Sequence, residues 1–89
     1  MIAICTVTGL DHTGIVAAVA TRLAGLDVNL LNISQTILGD YFTMIAQCEF
    51  DEAATPIQTV QESLLEVGRE TGVEIRLQSE AIFRAMREV

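Results

Sequence analysis

The chain has 89 residues, enough for one small domain and too few for a two-domain architecture, a barrel or a full dinucleotide-binding fold. Its apolar share is 51% and its mean hydropathy +0.44, whereas a chain of this size buries only about 60 to 65% of its extended surface, so the surplus predicts a partner surface. Twelve acidic residues against five basic ones, all Arg, give a net charge of −7, a sign that opposes direct binding to nucleic acid or to an anionic membrane.

No apolar run approaches the roughly 18 to 20 residues of a membrane helix, and Met1 to Cys5 lacks the basic leader of a secretory signal. The expectation is a soluble, cytoplasmic protein. Two cysteines and one histidine are too few for a disulfide framework and form a poor metal set, so neither a metal nor a cofactor is expected. Cys5 and Cys48 read as reduced core thiols on neighbouring strands. The absence of Lys excludes Schiff-base chemistry, and the adjacent Asp11, His12 and Thr13 would point in different directions, so no catalytic set is expected.

Met1 to Thr8 is rich in β-branched residues and predicts a buried strand ending at Gly9. Gly9 to Gly14 is a polar, flexible turn. Ile15, Val16, Val19, Ala20 and Leu23 then fall at helical spacing, and Gly25 is the expected stop. Leu26 to Leu38 reads as a second strand whose imperfect alternation implies a bulge or a change of facing around Leu30 and Leu31. After the Gly39 and Asp40 turn, Tyr41 to Phe50 alternates cleanly, with Phe42, Met44, Ala46, Cys48 and Phe50 sharing one face.

Thr55 as N-cap before Pro56 predicts a second helix carrying Ile57, Val60, Leu64 and Val67, ended by Gly68 or Gly72. Its charges Glu62, Glu66, Arg69 and Glu70 read as a solvated face. Val73, Ile75 and Leu77 alternate as a fourth strand, after which Ser79 is positioned to cap a short helix bearing Ile82, Phe83 and Met86.

This order, β-α-β-β-α-β plus a tail helix, predicts an α+β, ferredoxin-like sandwich. Its antiparallel sheet has the order 4-1-3-2 with both helices on one face. The other face would carry Thr43, Ile45, Gln47, Glu74, Arg76 and Gln78, partly covered by the tail helix. No repeat or linker interrupts residues 1–89, which read as one domain.

The loop from Gly9 to Val16 leaves a central strand and opens a helix, exposing backbone N–H groups at Gly14, Ile15 and Val16 that favour an anion. Gly14 lets a carboxylate approach, and Asp11 supplies a partner for an ammonium. Together they suit the zwitterionic part of an α-amino acid. The same residues also have a plainer role, with Asp11 or Thr13 capping the helix and Gly14 turning the chain.

Asp11 to Val16, the small-apolar helix that follows, and Val28, Asn29 and Leu30 resemble the ACT domain. The segment Ile33 to Thr36 with Asp40 to Met44 is closer still to the stand-alone ACT proteins of an uncharacterised bacterial family, similar to the ACT modules of the glycine-cleavage repressor type. The resemblance implies a regulatory module that binds a small amino acid between two copies joined along the second strand and acts through a partner protein. It implies ligand contacts at Asp11 and Gly14 from one subunit and at Asn29 from the other; His12, Thr13, Ile15 and Leu30 beside them complete the candidate ligand-binding set, with His12 either tuning the pocket or facing water. The apolar edge Leu30, Leu31 and Ile33 would form the homodimer interface. Where ACT domains often have Arg-Pro before the glycine, this chain has His12 and Thr13, so a stiffer loop is not implied.

Overall fold

The computed structural model describes residues 1–87. Strand β1 spans Ile2–Leu10, helix α1 Ile15–Gly25, β2 Asn29–Leu38, β3 Tyr41–Glu49, α2 Ile57–Thr71, β4 Glu74–Ser79 and α3 Glu80–Arg87. The strands form one antiparallel sheet in the order β2-β3-β1-β4, the expected ferredoxin-like topology. β1 is central because its residues alternate between core and open face. Ala3, Cys5 and Val7 are buried opposite Cys48, Ala46 and Met44 of β3, and Cys5 and Val7 also lie opposite the buried Leu77 and Ile75 of β4.

The core is the layer between this sheet and two helices. Ile15, Val19 and Leu23 come from α1, and Val60, Leu64 and Val67 from α2. All five helix-facing residues expected of the third strand, Phe42, Met44, Ala46, Cys48 and Phe50, are buried. Arg22 of α1 donates to Ser63 and Glu66 of α2, both at 3.0 Å, and lies 3.6 Å from Glu70. The expected solvated helix face is therefore partly a contact between the helices, although these half-exposed ion pairs add at most ~1 kcal/mol.

Several boundaries differ from the sequence reading. β1 continues through Gly9 to Leu10, because a Cβ at Gly9 would lie 2.9 Å from the Val73 side chain and only glycine lets the strand pass there. Gly25 belongs to α1, and the chain reverses instead at Asp27, whose φ of 58° is left-handed; Asp tolerates that region better than most residues. Accordingly β2 begins at Asn29 rather than Leu26.

Thr55 does not cap α2. Pro56, with ψ of 146°, is the N-cap, and Thr55 Oγ1 donates to the Leu26 carbonyl at 3.4 Å. Gly72 ends that helix at φ 73°, while Gly68 lies inside it, pressed against the Val73 carbonyl.

The expected bulge is present: the register passes from Leu30 opposite Cys48 to Asn32 opposite Gln47, leaving Leu31 as the extra residue. Ser79 Oγ accepts the Ile82 N–H at 3.3 Å at the start of α3. That helix covers the open face only at its beginning, where Gln47 donates to Glu80 at 3.1 Å; Phe83 is half-buried, but Ile82 and Met86 are exposed.

Candidate ligand-binding site

β1, α1 and the β2–β3 hairpin converge at one end of the sheet. The Asp11 N–H donates to the Asp40 carbonyl at 2.8 Å, pinning the start of the loop to the hairpin turn. Gly14 is the N-cap of α1 with φ 96°, and no side chain caps the helix. The capping role for Asp11 or Thr13 is therefore not adopted. Ala18 N–H is the first to bond back, to the Gly14 carbonyl at 2.9 Å, so the preceding amides of the first turn remain available to a ligand.

These elements enclose an open cavity of about 440 Å³ between the α1 N-terminus and β2. Of the sequence-predicted residues, Asp11, His12, Gly14 and Ile15 line it. Thr13 is exposed beside the cavity and does not line it. Asn29 and Leu30 are not brought to it either. They lie at the other end of β2, opposite Glu49 and Cys48, about 25 Å along the strand from Ile37. Leu30 is half-buried against its own core, while Leu31 and Ile33 are exposed.

The wall facing the loop is instead Gln35, Ile37 and Phe42, with Val16 and Ala17 of α1. Sequence reasoning missed Ala17, Gln35, Ile37 and Phe42 as site residues, and of Val16 it singled out only the backbone N–H. Ile33, Gln35 and Ile37 oppose the buried Ala46, Met44 and Phe42, so they point to the helix-covered side of the sheet, yet neither helix reaches far enough to bury them. The signal was a single amide alternating with two isoleucines.

His12 takes a geometry of its own. Its Nε2 lies 2.6 Å from the Thr71 carbonyl oxygen and its Nδ1 3.1 Å from that of Thr13. Two carbonyl acceptors favour the ring with both nitrogens protonated. The bond to Thr13, then that to Thr71, raises the His12 pKa above its ordinary value, with nearby Asp11 adding to the effect.

Elsewhere, Cys5 and Cys48 are both free and buried. Burial pushes Cys5 up to about 12, with Cys48 contributing, and pushes Cys48 up to about 11. Such thiols stay protonated and unreactive near neutral pH. Among the described residues no three His, Cys, Asp or Glu side chains are grouped to hold a metal ion, and no helix is long and apolar enough to cross a membrane.

The βαββαβ order and the ferredoxin-like sheet are what the sequence resemblance implied, and the family model described as ACT domain matches residues 1–78. The chain belongs to the ACT domain family. It is 57% identical over 89 residues to a UPF0237 protein of Corynebacterium glutamicum, covering 100% of both. Its structure is similar to an ACT domain protein from Streptococcus pneumoniae, with 42% identity, a TM-score of 0.82 and 93% of each chain covered. A more distant likeness is to the ligand-free regulatory subunit of aspartate kinase from Thermus thermophilus. There identity is 29% and the TM-score 0.68, with 86% of this chain and 50% of that one covered. The ACT domain is a regulatory module that binds small ligands, and the fold of this chain is that module with one added helix, α3.

Proposed function

We propose that this chain is a homodimeric amino-acid sensor that acts through a partner protein and catalyses nothing itself. The observation that carries the reading is the uncapped N-terminus of α1, which opens beside Asp11 on the cavity against β2. Backbone N–H groups at a helix start suit the α-carboxylate, and Asp11 suits the α-ammonium. The small size of Gly14 and Ala17 leaves room for a small amino acid.

Dimerisation along β2 supplies what one chain lacks. Antiparallel pairing of two β2 edges lays the Asn29 end of one copy beside the Gln35–Ile37 end of the other, which closes the gap of about 25 Å within a chain. Leu31 and Ile33, at 41% and 47% exposure, then leave solvent. The direct partners are therefore a second copy, a small amino acid and a regulated protein; neither nucleic acid nor a membrane surface suits the net charge of −7.

Thermal melting with each of the common amino acids in large excess tests this. Ligand at about 100 times its Kd stabilises by about 2.7 kcal/mol, which raises the midpoint by roughly 10 °C on a domain this small. A flat panel at millimolar concentrations removes the sensing claim. It would leave the second reading, a ligand-free assembly module, which is favoured by the exposed row Leu10, Tyr41 and Leu38 across three strands of the open face.

A further inference from the structure

The sheet has two edges, and the amino-acid reading occupies only one. β4 is the other, paired with β1 on one side and, among the described residues, with no strand on its outer side. Gln61 Nε2 donates to the Leu77 carbonyl at 2.8 Å from α2, which fixes the facing of the strand. In an antiparallel ladder both backbone groups of a residue point the same way and alternate along the chain. Thus the N–H of Leu77 and both backbone groups of Ile75 face away from β1, and only the Leu77 carbonyl is covered.

Above this edge, α2 and β4 bound two adjoining hollows of about 270 and 310 Å³ that share Leu65, Ile75 and Arg76. Leu65 is 55% exposed and overhangs the groove. Arg69 lines it one helical turn further on. Arg22, Arg76 and Arg84 each pair with glutamates, and Arg76 does so within its own strand, at 2.7 Å to Glu74. Arg69 has no such carboxylate partner, so of the four arginines Arg22, Arg69, Arg76 and Arg84 it is the one left unpaired on an acidic protein.

We infer that the β4 edge docks an extended segment of a partner protein, which adds a strand beside Ile75 and Leu77. That segment sets an apolar side chain under Leu65 and, two residues on, an Asp or Glu against Arg69. The spacings agree. Positions 65 and 69 are separated by about 6 Å along a helix, and alternate side chains of a strand by about 6.6 Å. Main-chain bonds to the edge supply affinity, and the apolar-x-acidic pair supplies specificity. The unpaired guanidinium of Arg69 favours a carboxylate-bearing occupant over a neutral one. This inference goes beyond the amino-acid reading and stands without it.

The test is titration of ¹⁵N-labelled protein with a blocked peptide of alternating threonine and valine that carries one leucine and, two residues later, one aspartate. The expected result is movement of the Ile75 and Leu77 amides with those of β2 unchanged. Replacing the peptide aspartate by asparagine, or Arg69→Gln in the protein, should weaken binding by about tenfold or more. Leu65→Ser should weaken it as well, while unchanged dispersion of the spectra shows both variants folded. No movement on β4 at millimolar peptide overturns the inference, as does equal affinity for the aspartate and asparagine peptides. A self-association broken by Arg69→Gln but not by substitution on β2 would also overturn it, by assigning the groove to a second copy. Because the amino-acid panel reads the cavity against β2 and the peptide titration reads β4, the opposite edge of the sheet, failure of either claim leaves the other standing.

Discussion

His12 and Thr71, 59 residues apart, are joined by a contact of 2.6 Å between the imidazole Nε2 and the last carbonyl of α2. The loop that opens the candidate site is thereby tied to a helix on the far side of α1's start. The end of α2 carries partial negative charge from its unpaired carbonyls, which suits a cationic ring. Since Nδ1 meets the Thr13 carbonyl as well, only the imidazolium donates to both.

A pH dependence follows from that tie. The folded-state pKa is raised, so the charged ring is held more favourably in the folded chain than in the unfolded one. The stabilisation is complete below the unfolded value of about 6.5 and is lost as pH rises through the folded value. The chain has one His, so the ring-proton NMR titration belongs to it alone. A midpoint above about 6.5 is expected. His12→Ala should lower the melting midpoint in mildly acidic buffer and by much less in alkaline buffer; an equal loss at both would detach the tie from the charge.

Gly14 is constrained by conformation and not by space. Its φ is 96°, and no atom lies within 4 Å of the place a Cβ would occupy. Gly14→Val should therefore destabilise by about 1–2 kcal/mol through backbone strain alone, and Gly14→Asn by less. Chemical denaturation gives both values. Equal losses for the two would mean that side-chain volume matters, and that the cavity is narrower than its lining implies.

Gly68 poses the opposite case. A Cβ there would lie 2.8 Å from the Val73 carbonyl oxygen, a backbone atom that cannot swing aside. Gly68→Ala should cost about 1–3 kcal/mol by overpacking. Gly25→Ala is the control: nothing lies within 4 Å of that position, it is helical, and its φ is not positive. There the change should stabilise by up to about 1 kcal/mol. Melting curves of the two variants should move in opposite directions.

The contrast between these glycines marks what the sequence could and could not reveal. Strand faces such as Phe42 to Phe50 were legible because burial on one side imposes a period of two. The loop Asp11 to Gly14 was legible because a polar, glycine-closed segment before an apolar helical stripe has few other uses. Gly9 and Gly68 were not, since both are set by Val73, a neighbour distant in sequence from Gly9 and across a turn from Gly68. Asp27 was hidden behind Gly25, the more ordinary stop. Gln35 and Ile37 escaped because neither helix reaches that half of β2, so its alternation carries no burial signal there.

Asp11 can be separated from the rest of the candidate site. It is exposed and gives its N–H, not its carboxylate, to the Asp40 carbonyl, so Asp11→Asn should leave the fold and the pin to the hairpin intact. A charge-assisted contact to an ammonium contributes about 1.5–3 kcal/mol, so affinity for any amino acid found by melting should fall on the order of 10- to 100-fold. Calorimetric titration measures it. Unchanged affinity would place the ammonium elsewhere.

The β2 edge carries the last prediction, because it couples assembly to binding. Leu31 is the bulge residue, with no register partner on β3 and 41% exposure, so Leu31→Glu removes nothing from the monomer's own core. Ile33→Glu acts two positions on, at 47% exposure, on the helix-facing side of the same edge. If two copies join along β2, each substitution sets like charges against one another across a two-fold axis. Sedimentation equilibrium should then report a folded monomer. Amino-acid binding should fall with it although Asp11 and Gly14 are untouched, because the Asn29 end of β2 lies about 25 Å from the cavity in its own chain and can serve only another copy. A dimer that survives both changes would move the interface off β2, and a monomer that still binds with full affinity would make the site complete within a single chain.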